Sequence, residues 1–188
     1  MIHDIVSIDA GVLHYLYSIR DPFTTIIFID ISEFGRWEIV LLISVLVGLF
    51  SALWRRYADF AGLFVSVTGT LATVLFLKNL AQRPRPDPLY QAYPEGPFFS
   101  FPSAHTALSM ALYGFIIYLL LQTAPTQFRR IVIACLPLLI FLVGFSRLYL
   151  GVHYLSDVVT GFAIGAVFIF VGVQVRLRLL TRSGFRRG

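Results

Sequence analysis

Ser146-Arg147-Leu148-Tyr149-Leu150-Gly151-Val152-His153-Tyr154-Leu155-Ser156-Asp157 joins two apolar runs, Ile131 to Phe145 and Tyr154 to Val175. Runs of that kind cross a bilayer as helices, so the polar side chains between them sit at a helix junction, an expensive place for a charge without a partner. His153 and Asp157 are four residues apart. A helix from Val152 onward sets them on one face, one turn from each other, where a carboxylate can hold an imidazole N–H. An aspartate-oriented histidine suits a nucleophile or general base, because the carboxylate fixes the tautomer and stabilises the ring as it gains charge. Arg147 lies six residues upstream, and Gly151 permits a bend that brings its guanidinium toward the ring. An arginine there favours an anionic substrate, phosphate first. For this segment alone, a polar cluster anchoring a helix end at the membrane surface is the competing reading.

The rest of the composition agrees with a membrane setting. Of 188 residues 57% are hydrophobic and only 13% charged, with a mean hydropathy of +0.80. That balance describes one all-α integral membrane domain over residues 1–188 rather than a soluble one. The net charge of +5 does not point to nucleic acid, because the basic residues punctuate apolar runs instead of forming a patch. Cys135, the single cysteine, lies inside an apolar run, so no internal disulfide and no thiolate metal site are implied. No cleavable signal peptide is expected, since the N-terminus lacks a basic region ahead of an apolar stretch.

Taken in order, residues 2–19 carry Ile5, Ile8, Val12, Leu16 and Ile19 at helical spacing against Asp4, Ser7, Gly11, His14 and Ser18. This is an amphipathic helix lying on the membrane surface, with His3 and His14 solvated on it. A six-helix core over 22–175 follows. Its crossings are Phe23 to Phe34, Trp37 to Trp54, Phe60 to Leu77, Ser103 to Leu121, Ile131 to Phe145 and Tyr154 to Val175. The first is short and is counted because the topology needs an odd crossing there. Residues 176–188 form a basic tail with Arg176, Arg178, Arg182, Arg186 and Arg187. The loop Asp87 to Phe101 is rich in proline and aromatics, among them Tyr90, Tyr93 and Phe98, and reads as an interfacial anchor; Asp87 and Glu95 read as solvated charges without a catalytic role.

Two further motifs precede the central one. Lys78, the only lysine, leads into Arg83-Pro84-Arg85-Pro86, and Pro102-Ser103-Ala104-His105 opens a helix. Ser103 is placed as N-cap, so free N–H groups face an anion, and His105 in the first turn can give it a proton. Six crossings put the surface helix, Arg20, Arg55, Arg56, Arg129, Arg130 and the tail on one side. The positive-inside rule then makes both termini cytoplasmic and turns the three motifs outward.

Lys78 with Arg85-Pro86, Pro102-Ser103-Ala104-His105, and Arg147 with His153 and Asp157 together resemble the three-part signature of the type 2 phosphatidic acid phosphatase superfamily of membrane lipid phosphatases. The resemblance covers the chain from about Phe60 onward. One departure is Ala104, where the family commonly has glycine. Carried across by position, the resemblance implies His153 as the nucleophile that becomes phosphohistidine, Asp157 as its orienter and His105 as the acid for the leaving oxygen. Lys78, Arg85, Ser103, Ala104 and Arg147 are implied as the phosphate-binding set. Phosphoryl transfer needs in-line positioning and positive charge around three oxygens, which these residues supply. No carboxylate cluster suits a two-metal site, so metal-independent, cofactor-free chemistry is expected. The substrate implied is a phospholipid or polyprenyl phosphate. Resemblance to compact bacterial members favours undecaprenyl diphosphate at the outer face of the inner membrane; phosphatidate, phosphatidylglycerol phosphate and lipid A are the alternatives. Transfer to an acceptor lipid, or phospholipid binding without catalysis, are the other classes in play, and the sequence leaves the oligomeric state open.

Overall fold

The structure, a computed structural model, describes residues 2–96, 99–123 and 126–185, and among them all regular structure is helical. Seven helices follow one another: α1 (Ile2–Ser18), α2 (Pro22–Glu33), α3 (Trp37–Leu53), α4 (Tyr57–Ala81), α5 (Ala104–Leu121), α6 (Gln127–Tyr149) and α7 (Leu155–Phe185). The side chain of His3, and Phe98, Arg186 and Arg187, lie outside the described residues. Local chemistry sets the boundaries. Asp21 caps α2, its carboxylate accepting from the Phe23 and Thr24 N–H groups at 2.9 and 3.1 Å, with Pro22 in the first turn. Gln82 closes α4 in the left-handed region (φ 46°), directly before the Arg83-Pro84-Arg85-Pro86 stretch.

Four helices, α4 to α7, are each long and apolar enough to cross a membrane. By the same measure α2 and α3 qualify only as a pair, bent by 42° at their break, so the described helices offer four spans, or five with the bent pair counted as one. The expectation of six, with 23–34 as a full crossing and the N-terminal helix at the end away from the motifs, is corrected by contacts. Asp9 accepts from the Ser156 N–H, Arg20 donates to the Tyr90 carbonyl, and the Asp21 N–H donates to Tyr149 Oη. Both α1 and the start of α2 therefore sit at the end where α6 finishes and α7 begins. Twelve residues of α2 span only about 18 Å, too little to traverse alone. The docked face of α1 also differs from the apolar stripe read above: Asp9, Leu13 and Leu16 are buried, whereas Ile5, Ile8 and Ile19 stay about half exposed.

The helices pack closely because glycines let backbones touch. A Cβ at Gly172 of α7 would lie 2.5 Å from the Gly62 carbonyl of α4, and one at Gly165 would lie 2.7 Å from the Ala107 carbonyl of α5. Around this seam Leu63, Leu108, Leu112 and Phe115 form the main buried cluster. At the end opposite α1, buried Asp59 takes Arg176 and Arg56, both at 2.6 Å. The polar motifs are thereby left together at the other end.

Candidate active site

The α6–α7 junction builds the centre of the site. Gly151 adopts φ +69°, and a Cβ there would lie 2.0 Å from the Tyr90 carbonyl carried by the loop above, so both conformation and space demand glycine. The chain turns through Val152 and His153 and re-enters helix only at Leu155, later than the helix expected from Val152. The pairing forms all the same: His153 Nδ1 lies 3.2 Å from an Asp157 oxygen that also accepts the Tyr154 N–H at 3.0 Å. With Nδ1 so engaged, Nε2 is left for chemistry. Arg85 stands beside it, one nitrogen 3.4 Å from Nε2 and 3.0 Å from the Val152 carbonyl. Burial, reinforced by Arg147, Arg85 and Lys78, holds the His153 imidazole well below the usual histidine range.

The three motifs converge on one cavity of about 540 Å³, lined by Lys78, Arg85, Ala104, His105, Glu95 and His153. Lys78 lines that cavity, and its Nζ donates to the Phe99 carbonyl. Ser103 begins α5 as expected, but its hydroxyl pairs with Thr106 Oγ1 at 2.9 Å rather than with a helix N–H. Its own N–H donates to the Asp157 carbonyl at 3.1 Å, which stitches the second motif to the third. Trp37, Leu71, Leu75 and Leu108 make an apolar flank, and Glu33, Arg36 and Glu38 stand on the α2–α3 side as an ion-paired group.

Arg147 and Ser103 are buried behind the cavity lining. Arg147 donates to Ser32, to Tyr93 Oη at 2.7 Å and to Glu95, leaving its buried Nε without a partner among the described residues. The reading of Glu95 as a solvated loop charge is thus corrected: its side chain is only 16% exposed and is ion-paired with Arg147. Burial works against the Glu95 carboxylate, yet Arg147 and Arg85 together hold its pKa below the ordinary range. Reading by residue type also missed Asp9 and Arg83. Arg83 bonds the second Asp157 oxygen at 2.7 Å and Asp9 at 2.8 Å. An acid set among the apolar residues of a surface helix was the available signal for Asp9; nothing local distinguished Arg83 from its neighbour Arg85.

A family model described as the PAP2 superfamily matches residues 59–180, which span all three motifs. The chain belongs to the PAP2 superfamily. Among curated relatives of this PAP2 protein, phosphatidylglycerophosphatase B of Bacillus subtilis is 30% identical over 168 residues, covering 88% of this chain and 81% of that protein. Decaprenylphosphoryl-5-phosphoribose phosphatase of Mycobacterium tuberculosis is 36% identical over 142 residues, covering 72% and 71%. The crystal structure of a transmembrane PAP2-type phosphatidylglycerolphosphate phosphatase from Bacillus subtilis superposes with a TM-score of 0.83 at 26% identity, covering 93% of this chain and 87% of that one. LpxE of Aquifex aeolicus shares the fold at a TM-score of 0.71 and 22% identity, covering 88% and 94%. Family and relatives make this PAP2 protein a lipid phosphate phosphatase.

Proposed function

We propose that the chain hydrolyses the terminal phosphate of a membrane lipid through a phosphohistidine at His153, without a metal ion. One observation carries this reading: His153 Nδ1 is held by Asp157 while Nε2 lies beside Arg85 in a cavity shared with Lys78 and His105. Nε2 attacks phosphorus as the bond to the lipid oxygen breaks, and His105 gives that oxygen its proton. Water then attacks the phosphohistidine with His105 as base, releasing phosphate and restoring the ring. Lys78, Arg85 and the Nε of Arg147 supply positive charge to the phosphoryl oxygens; Ser103 and Ala104 supply the backbone at the start of α5.

For the lipid, the two bacterial relatives, both named for phosphate esters, move phosphatidylglycerol phosphate ahead of undecaprenyl diphosphate, with phosphatidate and lipid A behind. The apolar flank between α3 and α4 gives a lipid tail lateral entry. In the membrane, the site end faces outward from the bacterial inner membrane, with α1 on that surface and the C-terminal tail in the cytoplasm. Positive charge supports this, because Arg55, Arg56, Arg129, Arg130, Arg178 and Arg182 gather at the far end.

The test is phosphate release from phosphatidylglycerol phosphate, undecaprenyl diphosphate and phosphatidate, in detergent with excess chelator. Wild type is expected to release phosphate and His153→Ala to release none above background. Full activity in the variant removes His153 as nucleophile. Labelled phosphate recovered on an acceptor lipid instead of in solution makes the enzyme a transferase.

A further inference from the structure

We infer that Asp9 of α1 is a positioning residue of the active site, acting through Arg83 on the Asp157 carboxylate that orients His153. The inference rests on the proposed role of His153. Asp9 is only 2% exposed although it sits on a helix whose apolar residues Ile5 and Ile8 are about half exposed. One of its oxygens accepts the Ser156 N–H at 2.9 Å; the other accepts the Ser156 hydroxyl at 2.6 Å and an Arg83 nitrogen at 2.8 Å. Ser156 lies in the first turn of α7, so Asp9 places a carboxylate from a distant helix on the Ser156 N–H at that helix N-terminus, one residue before Asp157.

Arg83 continues the line. Its other terminal nitrogen donates to Asp157 at 2.7 Å and to the Ser156 hydroxyl at 2.7 Å, while its guanidinium carbon lies 4.1 Å from the Tyr154 ring centre. The two Asp157 oxygens thus face different partners, one meeting Arg83 and the other meeting His153 and the Tyr154 N–H. Without Asp9, the Arg83 charge has Asp157 as its remaining carboxylate partner among the described residues, and the guanidinium is drawn onto the group that must hold the imidazole. Burial opposes the charge of Arg83, and Asp9 with Asp157 overcomes it, raising its pKa. The N-terminal helix is in this way part of the catalytic support.

The experiment is a double-mutant cycle of Asp9→Asn and Arg83→Gln in the full chain, with kcat and KM measured on a short-chain phosphatidylglycerol phosphate. Asp9→Asn is expected to lower kcat about 10- to 100-fold with KM within about twofold, and to cost under about threefold once Arg83 is glutamine. Wild-type kcat in Asp9→Asn, or an equal loss in both backgrounds, overturns the inference; the latter makes Asp9 only a cap on α7. Where Asp9→Asn does not accumulate folded, Asp9→Glu keeps the charge with displaced geometry and is expected to lose kcat at unchanged melting temperature, wild-type kcat again overturning the proposal. A readout independent of turnover separates this from failure of the phosphohistidine reading. The His153 Nδ1 resonance in 15N-histidine-labelled protein, assigned with His153→Gln, shifts in Asp9→Asn and in Arg83→Gln if the line of contacts holds, and an unmoved resonance overturns it whatever the substrate.

Discussion

His153 and Arg147 show how the same end of the bundle handles two buried polar groups differently. His153 is kept neutral by burial and by the cations around it, so at neutral pH it is a free base, as a nucleophile must be. Its folded pKa is depressed, so the proposed nucleophile is lost by protonation only as pH falls well below the ordinary histidine range. The rate is therefore expected to hold from neutral pH down through that range and then drop. Arg85→Ala removes one of the cations and is expected to move this acid limb to higher pH while lowering kcat/KM; the pH–rate profile of the variant checks both. Asp157→Asn, which leaves His153 the wrong partner, is expected to cost roughly 10³- to 10⁴-fold in kcat by analogy with other aspartate–histidine pairs. Arg147 instead takes Glu95 as counter-ion. Glu95→Gln leaves a buried guanidinium without that charge, at a cost of about 3 kcal/mol. The melting temperature in detergent is expected to fall by several degrees and to recover in millimolar vanadate, an oxyanion that takes over the vacant role; no recovery argues against an anion site at Arg147.

Helices and turns were unequally readable from the chain. The α4 to α7 runs, the turn at Gly151 and the starts at Pro22 and Ser103 are written in local chemistry: apolar length, a positive φ, a proline after a cap. The fate of α1 and α2 is not, because it depends on what they dock against. An apolar stripe of Ile5, Ile8, Val12, Leu16 and Ile19 is visible in the sequence, but the face that docks is chosen by Asp9, whose partners lie more than 70 residues away. Glu95 escaped for the same reason, since a carboxylate in a loop carries no mark of the arginine it will meet. The α7 glycines lend themselves to a test at this scale. A Cβ at Gly161 would lie 2.8 Å from the Ser103 carbonyl, beside the site, whereas one at Gly172 would meet the Gly62 carbonyl at 2.5 Å, far from it. Both contacts are to backbone, so Gly161→Ala and Gly172→Ala are each expected to cost about 1–3 kcal/mol of stability. Only Gly161→Ala is expected to lower kcat beyond what unfolding explains, because it pushes on the residue that carries the N–H held by Asp157. Equal kcat in the two folded variants contradicts this.

At the scale of the molecule, the number of passes decides which face each terminus shares with the site. With α2 and α3 counted as one bent span, the five candidate spans leave α1 at the site end and the last turns of α7 at the other. Six passes with α1 at the far end would separate Asp9 from Ser156 by the thickness of the bilayer, about 30 Å, against the 2.9 Å between them. The distinction is open to labelling. In a Cys135→Ala background, needed because Cys135 is exposed, single cysteines at Ala10, Ala92 and Arg178 are treated with a membrane-impermeant maleimide in intact cells and after permeabilisation. Ala10 and Ala92 lie at the site end and Arg178 in the exposed last turns of α7. Cysteines at 10 and 92 are expected to react together in intact cells, and the one at 178 only after the inner face is opened. Reaction of 10 in step with 178 restores the six-pass arrangement and detaches α1 from the site; reaction of 178 in intact cells with 10 and 92 protected keeps five passes but inverts the protein, placing the phosphatase on the cytoplasmic face.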